Sequence, residues 1–160
     1  MDKHEKAIRV AKFGKLDEPF RNIRVVLDGT SAVMDLIPRK ILERVNQEEL
    51  KDWPREVQKA LKGTKPIVEA DSFLQVEFEN VQGLIVQEEF IDKINLVGDR
   101  DELRDGTFAT IVNSSWRARL EDFEMGNNPH LKHYRAWSDE TRIDVLGVLI
   151  EGKWMQNNTD

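Results

Sequence analysis

The sequence predicts an α+β fold, in which short helices pack on one mainly antiparallel sheet. Leu74, Val76 and Phe78 alternate with polar residues, as in a strand that is buried on one face only. Asp28-Gly29 separates two apolar runs, which is the strongest short signal of a β-hairpin. Segments with helical spacing are few and short. Strands should therefore dominate, with helices covering part of the sheet.

The first half of the chain predicts one hairpin and a group of short helices. Residues 1–15 mix charged with a few apolar side chains and indicate an edge strand or a docked arm. Pro38 fits the first turn of a helix, where its missing N–H costs nothing. Residues 38–62 are therefore expected to form two or three short helices. Gln82-Gly83 is expected to turn the chain back in a second hairpin.

The second half predicts a helix followed by two paired strands. After a strand at residues 108–112, Asn113 or Ser114 can cap a helix over residues 115–125. The predicted buried stripe of this helix consists of Trp116, Leu120 and Phe123. Residues 131–137 and 142–150 are then expected to pair across a short turn.

The last of these strands is apolar on both faces, which places it in the middle of the sheet, covered on one side by helices. Residues 155–160 are polar and are expected to fray. No repeat or linker divides the chain, so residues 1–160 are expected to form one domain.

Charge and composition exclude several classes of function. A formal net charge of −6 argues against a protein that binds nucleic acid through clustered Lys and Arg. The chain has no cysteine, which excludes disulfides, zinc–thiolate sites and thiol nucleophiles and fits a cytoplasmic protein. The longest apolar run, residues 145–150, is far shorter than the roughly 20 residues of a membrane helix. We therefore expect a soluble cytoplasmic protein that needs no cofactor and binds neither nucleic acid nor membranes.

His133 and Asp144 are the candidates for acid–base chemistry. They lie on the two strands that are expected to pair, and a histidine beside a carboxylate is a frequent acid–base arrangement. Asp144 interrupts an apolar run, where an unpaired carboxylate is costly. Its expected partners are His133, Arg135 and Arg142, unless it lies at the rim of the sheet. His130 and His133 diverge on a strand because they are three residues apart, so they predict no metal site.

Two groups of side chains are candidates for binding. The aromatic residues Trp116, Tyr134 and Trp137 would line a pocket on the concave face of the sheet, although Tyr134 and Trp137 should face opposite sides of their strand. Glu77 and Glu79 share one face of the alternating strand. Paired carboxylates hold Mg²⁺ or act as acid and base, but at alternate positions of a half-exposed strand they are ordinarily its solvated face.

Four stretches of the second half follow one another in a recognisable order: residues 76–90, Asn113-Ser-Ser-Trp116, Leu131-Lys-His-Tyr134 and Ile143-Asp-Val-Leu146. This order resembles a loosely defined group of small, uncharacterised bacterial proteins. Some of that group look like immunity or accessory proteins of toxin systems, so the resemblance implies a protein partner. It brings no catalytic residues, and it does not extend to the first half of the chain.

The sequence leads to two hypotheses from different classes. The first is a non-enzymatic protein-binding module, of immunity or adaptor type, whose acidic edges and exposed aromatic residues contact a basic protein partner. The second is a small enzyme or small-ligand-binding protein that uses His133 and Asp144 in a pocket on the sheet face. If these two side chains converge in an enclosed pocket, the first hypothesis must yield to the second. If they are buried apart, or lie on a convex surface without a cavity, the second hypothesis fails.

Overall fold

The described residues form one curved, mainly antiparallel sheet, and few of them are helical. A computed structural model describes residues 4–13, 20–41, 51–61, 67–88, 108–121, 123, 127–138 and 140–156. Of these, 67% lie in strands and 14% in helices. The strands are β1 (Lys6–Arg9), β2 (Phe20–Asp28), β3 (Ser31–Ile41), β4 (Ile67–Glu69), β5 (Ser72–Glu88), β6 (Phe108–Val112), β7 (Leu131–Trp137) and β8 (Thr141–Gln156). The helices are α1 (Arg55–Leu61) and α2 (Ser115–Ala118), with a 3₁₀ helix at Ala11–Phe13.

The predicted α+β arrangement is wrong, because strands dominate the described residues and the buried core among them consists of side chains from the strands. Neither α1 nor α2 contributes a buried side chain. The strand order is β1-β6-β7-β8-β5-β3-β2, with β4 beside β3. Side chains from β2 and β3 near one edge share a core with side chains from β6 and β7 near the other, so the sheet curls around them. A parallel bridge between Phe20 and Ser138 links the start of β2 to the end of β7.

Two long strands, β5 and β8, run through both halves of the curved sheet. The first part of β5 lies between β3 and the end of β8, and its last part pairs with the start of β8. The register between them shifts from Glu79 to Gly83, and Asn80 inside this interval has a φ of 49°. Extra residues of this kind bend a strand and increase its twist. The hairpin predicted at Gln82-Gly83 is therefore wrong, since the chain bulges there and continues.

The hairpin predicted at Asp28-Gly29 is confirmed, with its turn one residue later. Asp28 pairs with Ser31, which leaves Gly29 and Thr30 as the central residues. Gly29 has a φ of 61°, as the first central position of a type II′ turn requires.

The short helices predicted for residues 38–62 are wrong at their start, because β3 continues through Pro38. Pro38 lies opposite Phe20, beside the register shift between Phe20 and Asn22. An irregular position on a strand tolerates proline because no regular ladder bond needs its N–H. Residues 42–50 lie outside the described ranges.

Both described α-helices are shorter or less buried than the sequence indicates. Helix α1 begins directly after Pro54, within the residues predicted to form short helices, and its apolar residues Val57 and Leu61 are only half-buried. Helix α2 covers only Ser115–Ala118 of the predicted residues 115–125. Phe123, the last member of the predicted stripe, is 61% exposed.

The strands predicted in the second half are confirmed. β7 and β8 pair over the whole of β7, and β8 lies between β7 and β5 in the sheet. β6 forms at residues 108–112, and β1 is an edge strand paired with it. Met155 and Gln156, which were expected to fray, pair with the start of β5.

The inner face of the curved sheet holds an aromatic cluster. The ring of Tyr134 lies 5.3 Å from that of Phe78 and 5.8 Å from that of Phe108, measured between centroids. Burial raises the pKa of the Tyr134 hydroxyl, and its hydrogen bond with the backbone of Leu149 offsets this only in part. Phe13 covers the inner face at Gly152, where a Cβ would overlap its ring.

Candidate functional site

The site begins at the turn that leads from β6 into α2. Asn113 has a φ of 55°, a left-handed conformation that asparagine adopts more readily than most residues. Its side-chain amide donates to the backbone carbonyl of His4 at 3.1 Å. Ser114 then caps the helix, because its Oγ accepts the backbone N–H of Arg117 at 3.0 Å. The Glu5 carboxylate accepts the backbone N–H of Ser115 at 2.7 Å and ties the N-terminal strand to the same turn.

His133 and Asp144 lie on the outer face of the sheet, on neighbouring strands. His133 is opposite Leu146 in the β7–β8 ladder, and Arg135 is opposite Asp144. His133 and Asp144 are therefore diagonal neighbours, within reach of long side chains on the same face. Tyr134, between His133 and Arg135, points to the inner face and joins the core.

A continuous chain of hydrogen bonds joins the three polar residues. Ser114 Oγ lies 2.7 Å from His133 Nδ1, and His133 Nε2 lies 2.6 Å from Asp144 Oδ1. The ionised carboxylate only accepts, so Nε2 carries a proton and donates to it. In the neutral ring Nδ1 is then the acceptor of the Ser114 hydroxyl. All three residues are buried, with exposed fractions of 6%, 4% and 2% in the order Ser114, His133, Asp144.

Two arginines balance the charge of Asp144. Arg135 Nε donates to Oδ1 at 2.7 Å, and Arg142 Nε donates to Oδ2 at 2.9 Å. Burial by itself raises the pKa of Asp144, but the His133 hydrogen bond and the charges of Arg135 and Arg142 outweigh it and leave the pKa below its ordinary value. Asp144 is therefore ionised near neutral pH, although it is buried.

Trp116 covers the network from the side of α2. Its ring meets the His133 ring edge to face, with centroids 5.2 Å apart. The same ring lies against Gly83 of β5, where a Cβ would overlap it. Glycine at this position allows the indole to lie flush with the sheet and to exclude water from His133.

A cleft opens beside the network, where β6 and β7 part. Their pairing ends at Ile111 and His133, and beyond this point the side chain of Arg117 lines the cleft and binds the backbone at the start of β7. Arg117 Nε donates to the carbonyl of Leu131 at 2.7 Å, and Nη2 donates to that of Asn128 at 3.2 Å. The cleft has a volume of about 520 Å³. It is lined by Thr110, Ile111, Val112, Asn113, Ser114, Arg117, Ala118, Glu121, Leu131, Lys132 and His133.

The arrangement has the parts of a serine-type acyl-transfer site, but each part is also used structurally. A hydroxyl, an imidazole and a carboxylate in hydrogen-bonded order form the nucleophile, base and orienting group of that chemistry. Here Ser114 Oγ also caps α2, and Asp144 also binds two arginines. The network therefore fastens the start of α2 to β7 and β8.

No protein-family model, curated protein or solved structure matches this chain. The resemblance to immunity-like bacterial proteins thus stays an expectation from the sequence. Within the described ranges, no group of three or more His, Asp or Glu side chains is arranged to hold a metal ion. Among the described helices, none has the length and apolar character needed to cross a membrane.

The structure brings His133 and Asp144 together, but not in an enclosed pocket, because only His133 lines the cleft and the cleft is open. It does not bring the predicted aromatic group together. The expectation that Asp144 pairs within the sheet is confirmed, and all three expected partners bind it. Trp116 and Trp137 lie on the outer side of the sheet, against His133 and Arg135 respectively, whereas Tyr134 is in the core. None of these three aromatic residues lines the cleft.

Glu77 and Glu79 lie on the outer face of β5, away from the cleft. Glu77 is half-buried, with an oxygen 4.0 Å from Lys153 Nζ, and Glu79 is exposed. Their role in binding stays a prediction.

Sequence reasoning missed two residues of the site. Ser114 was expected only as a helix cap, because nothing in the spacing shows that His133 lies beside it. The contact of Arg117 with the carbonyl of Leu131 could not be predicted from the sequence, because it depends on where β6 and β7 stop pairing.

Proposed function

We propose that the protein is a non-enzymatic binding module that holds a segment of a partner protein in the cleft between β6 and β7. One observation carries the proposal: the polar groups of Ser114, His133 and Asp144 beside the cleft are engaged within the chain, while the cleft itself is open. His133 uses both ring nitrogens, and Asp144 uses both carboxylate oxygens. Such a network gives the cleft a fixed wall, as recognition sites require.

The lining of the cleft suits a segment of a partner protein that contributes one apolar side chain and the polar backbone groups beside it. Its volume of about 520 Å³ falls within the usual range of ligand pockets. Ile111, Val112 and Leu131 supply apolar surface, and Asn113 and Lys132 supply exposed polar groups. An extended segment of a protein partner offers matching groups. The net charge of −6 favours a partner that is basic overall.

The test fills the cleft without disturbing the fold. Ala118 is exposed and lines the cleft, and its neighbour Arg119 is exposed but does not line it. Ala118→Phe should block the cleft, whereas Arg119→Phe adds similar bulk outside it. The wild-type chain is co-expressed with the products of the neighbouring genes, and a stoichiometric complex is purified and measured by isothermal titration calorimetry.

We expect Ala118→Phe to weaken the complex at least about tenfold, which corresponds to about 1.4 kcal/mol. Arg119→Phe should bind as the wild type does. The proposal fails if no stoichiometric protein complex forms, or if both variants bind like the wild type.

A second candidate function, a serine-type hydrolase, is favoured by the 2.7 Å contact between Ser114 Oγ and His133 Nδ1. In that reaction the Ser114 oxygen would attack an acyl carbon while His133 takes its proton and passes it to the leaving alcohol or amine as the scissile bond breaks. Water, activated by His133, would then release the acyl group from Ser114. The hydrolase ranks second because Ser114 also caps α2 and the charge of Asp144 is matched by Arg135 and Arg142.

A fluorophosphonate probe separates the two functions. A hydrolase would be labelled at Ser114, and Ser114→Ala would abolish the label. The matched control is Ser115→Ala, since Ser115 is exposed and binds Glu5 instead of a histidine. We expect no labelling of the wild-type chain. Labelling that Ser114→Ala removes and Ser115→Ala retains would establish the hydrolase in place of the binding module.

A further inference from the structure

Within the described part of the chain, no strand pairs with the outer edge of β2 over its second half. β2 pairs with β3 on one side, and within the described residues its other side is bridged only at Phe20, by Ser138. Val26 is 69% exposed and Leu27 49% exposed. Alternate residues of an edge strand direct their N–H and C=O groups away from the sheet. An apolar edge of this kind is a template for another strand.

The exposed part of β2 is complementary to itself. Its sequence is Arg24-Val-Val-Leu-Asp28. In an antiparallel pair centred on Val26, Arg24 lies opposite Asp28 of a second copy, and Val25 lies opposite Leu27 of that copy. Arg24 and Asp28 are both exposed, and they share one face of the strand with Val26. Two ion pairs would therefore flank a valine pair on the outer face, with apolar pairs on the other face.

The opposite edge of the sheet is less complementary to itself. For β1, Lys6-Ala-Ile-Arg9, a pairing centred on Ala7 sets Arg9 against Glu5 of the second copy, but the Glu5 carboxylate already binds Ser115. A pairing centred between Ala7 and Ile8 sets Lys6 against Arg9 of the second copy. Like charges directly opposite each other destabilise a strand pair. Ile8 of β1 is 50% exposed, so exposed apolar surface is present at both edges and the charges distinguish them.

We infer that the protein forms a two-fold dimer in which the β2 strands of two copies pair antiparallel about Val26. The partner that fits this edge is a second copy of the chain, because the same sequence, paired about Val26, places opposite charges and apolar residues in register. The contact extends the sheet across the two-fold axis. It is small, so the dimer is weak and depends on protein concentration. This inference is independent of the cleft.

The test is a charge swap followed by sedimentation velocity over a range of protein concentrations. Arg24→Asp sets two carboxylates against each other at both ion pairs, and Asp28→Arg does the same with two guanidinium groups. Each single variant should raise the dimer dissociation constant at least tenfold. The double variant restores opposite charges at both positions and should return the dissociation constant to near the wild-type value. A return of the dimer dissociation constant to the wild-type value cannot result from a destabilised fold, because the destabilising effects of the two substitutions would add rather than cancel.

A control at the other edge completes the design. Ile8→Glu should leave the dimer intact, whereas Val26→Glu, which places two carboxylates at the axis, should abolish it. Circular dichroism checks that each variant is folded. A wild-type chain that stays monomeric at every concentration overturns the inference, even if the edge captures a different protein. A dimer that the single swaps leave unchanged, or that the double swap does not restore, overturns it as well.

Discussion

Asp144 shows how a buried charge is kept in this sheet. Three donors, from His133, Arg135 and Arg142, bind its two oxygens, and its side chain is 3% exposed. The sequence predicted this pairing, because a carboxylate inside an apolar run needs partners. Removal of one member of such a network leaves the others buried without their counter-charge.

Asp144→Asn should therefore lower the free energy of unfolding by about 3 kcal/mol, the usual loss when a buried ion pair is broken. Chemical denaturation monitored by tryptophan fluorescence measures it. The matched control is Asp71→Asn, which removes the 83%-exposed partner of Lys40. That change should cost less than about 1 kcal/mol, as for surface ion pairs. Equal losses in the two variants would show that the network does not stabilise the fold.

The pH dependence of stability follows from the lowered pKa of Asp144. The stabilising effect of the ionised carboxylate is complete above the pKa that Asp has in the unfolded chain, about 3.9. It is lost as the pH falls through the lower pKa of the folded state. The difference in free energy of unfolding between the wild type and Asp144→Asn should thus be constant near neutral pH. It should shrink as the pH falls below about 4. A difference that grows on acidification would contradict the direction of the pKa change.

At the scale of elements, a very short helix is held in place by the sheet beneath it. α2 has only four residues, which is too few for a helix to be stable on its own. Ser114 fastens its start to His133, and Trp116 wedges between His133 and Gly83. The predicted helix over residues 115–125 was too long because spacing alone does not reveal where the sheet stops supporting it.

Gly83→Ala tests this contact directly. The added Cβ would overlap the Trp116 ring, so the ring or the strand must move, and we expect a loss of about 1–3 kcal/mol in the free energy of unfolding. In a chain that already carries Trp116→Ala, the same substitution should cost much less. A double-mutant cycle by chemical denaturation measures the coupling. If Gly83→Ala costs the same with and without the indole, Trp116 does not lie against Gly83.

At the scale of the whole molecule, the sequence predicted strands better than it predicted how the sheet closes. Alternation located β5 and the Asp28-Gly29 hairpin, and the two-faced apolar pattern placed β8 in the middle of the sheet. Pro38 was predicted in a helix but lies in β3, because the register shift beside Phe20 allows a proline in this strand and is not visible in the sequence. Gly83 was predicted in a turn but lies within β5, because the sequence does not distinguish a glycine needed for close packing from one needed for a turn.

The candidate site was predictable only in part, for a geometric reason. His133 and Asp144 lie on adjacent strands that the sequence could pair, so their contact followed from register. The contact of Ser114 with His133 and the cleft depend on where β6 and β7 separate. The chain between the end of β6 at Val112 and the start of β7 at Leu131 is 18 residues long, and no sequence pattern relates its two ends. Local periodicity in the sequence does not predict contacts that depend on where two neighbouring strands stop pairing.

Chemical-shift mapping of the isotope-labelled chain tests most directly whether the cleft is the recognition site. Purified partner is added to the labelled chain, and the backbone amides are followed by two-dimensional NMR. We predict that the largest shifts occur at Ile111, Ala118 and Lys132 around the cleft, and that Ala118→Phe removes them. Shifts confined to the outer face of β5 at Glu77 and Glu79, with the amides of the cleft unchanged, would contradict the proposed binding mode.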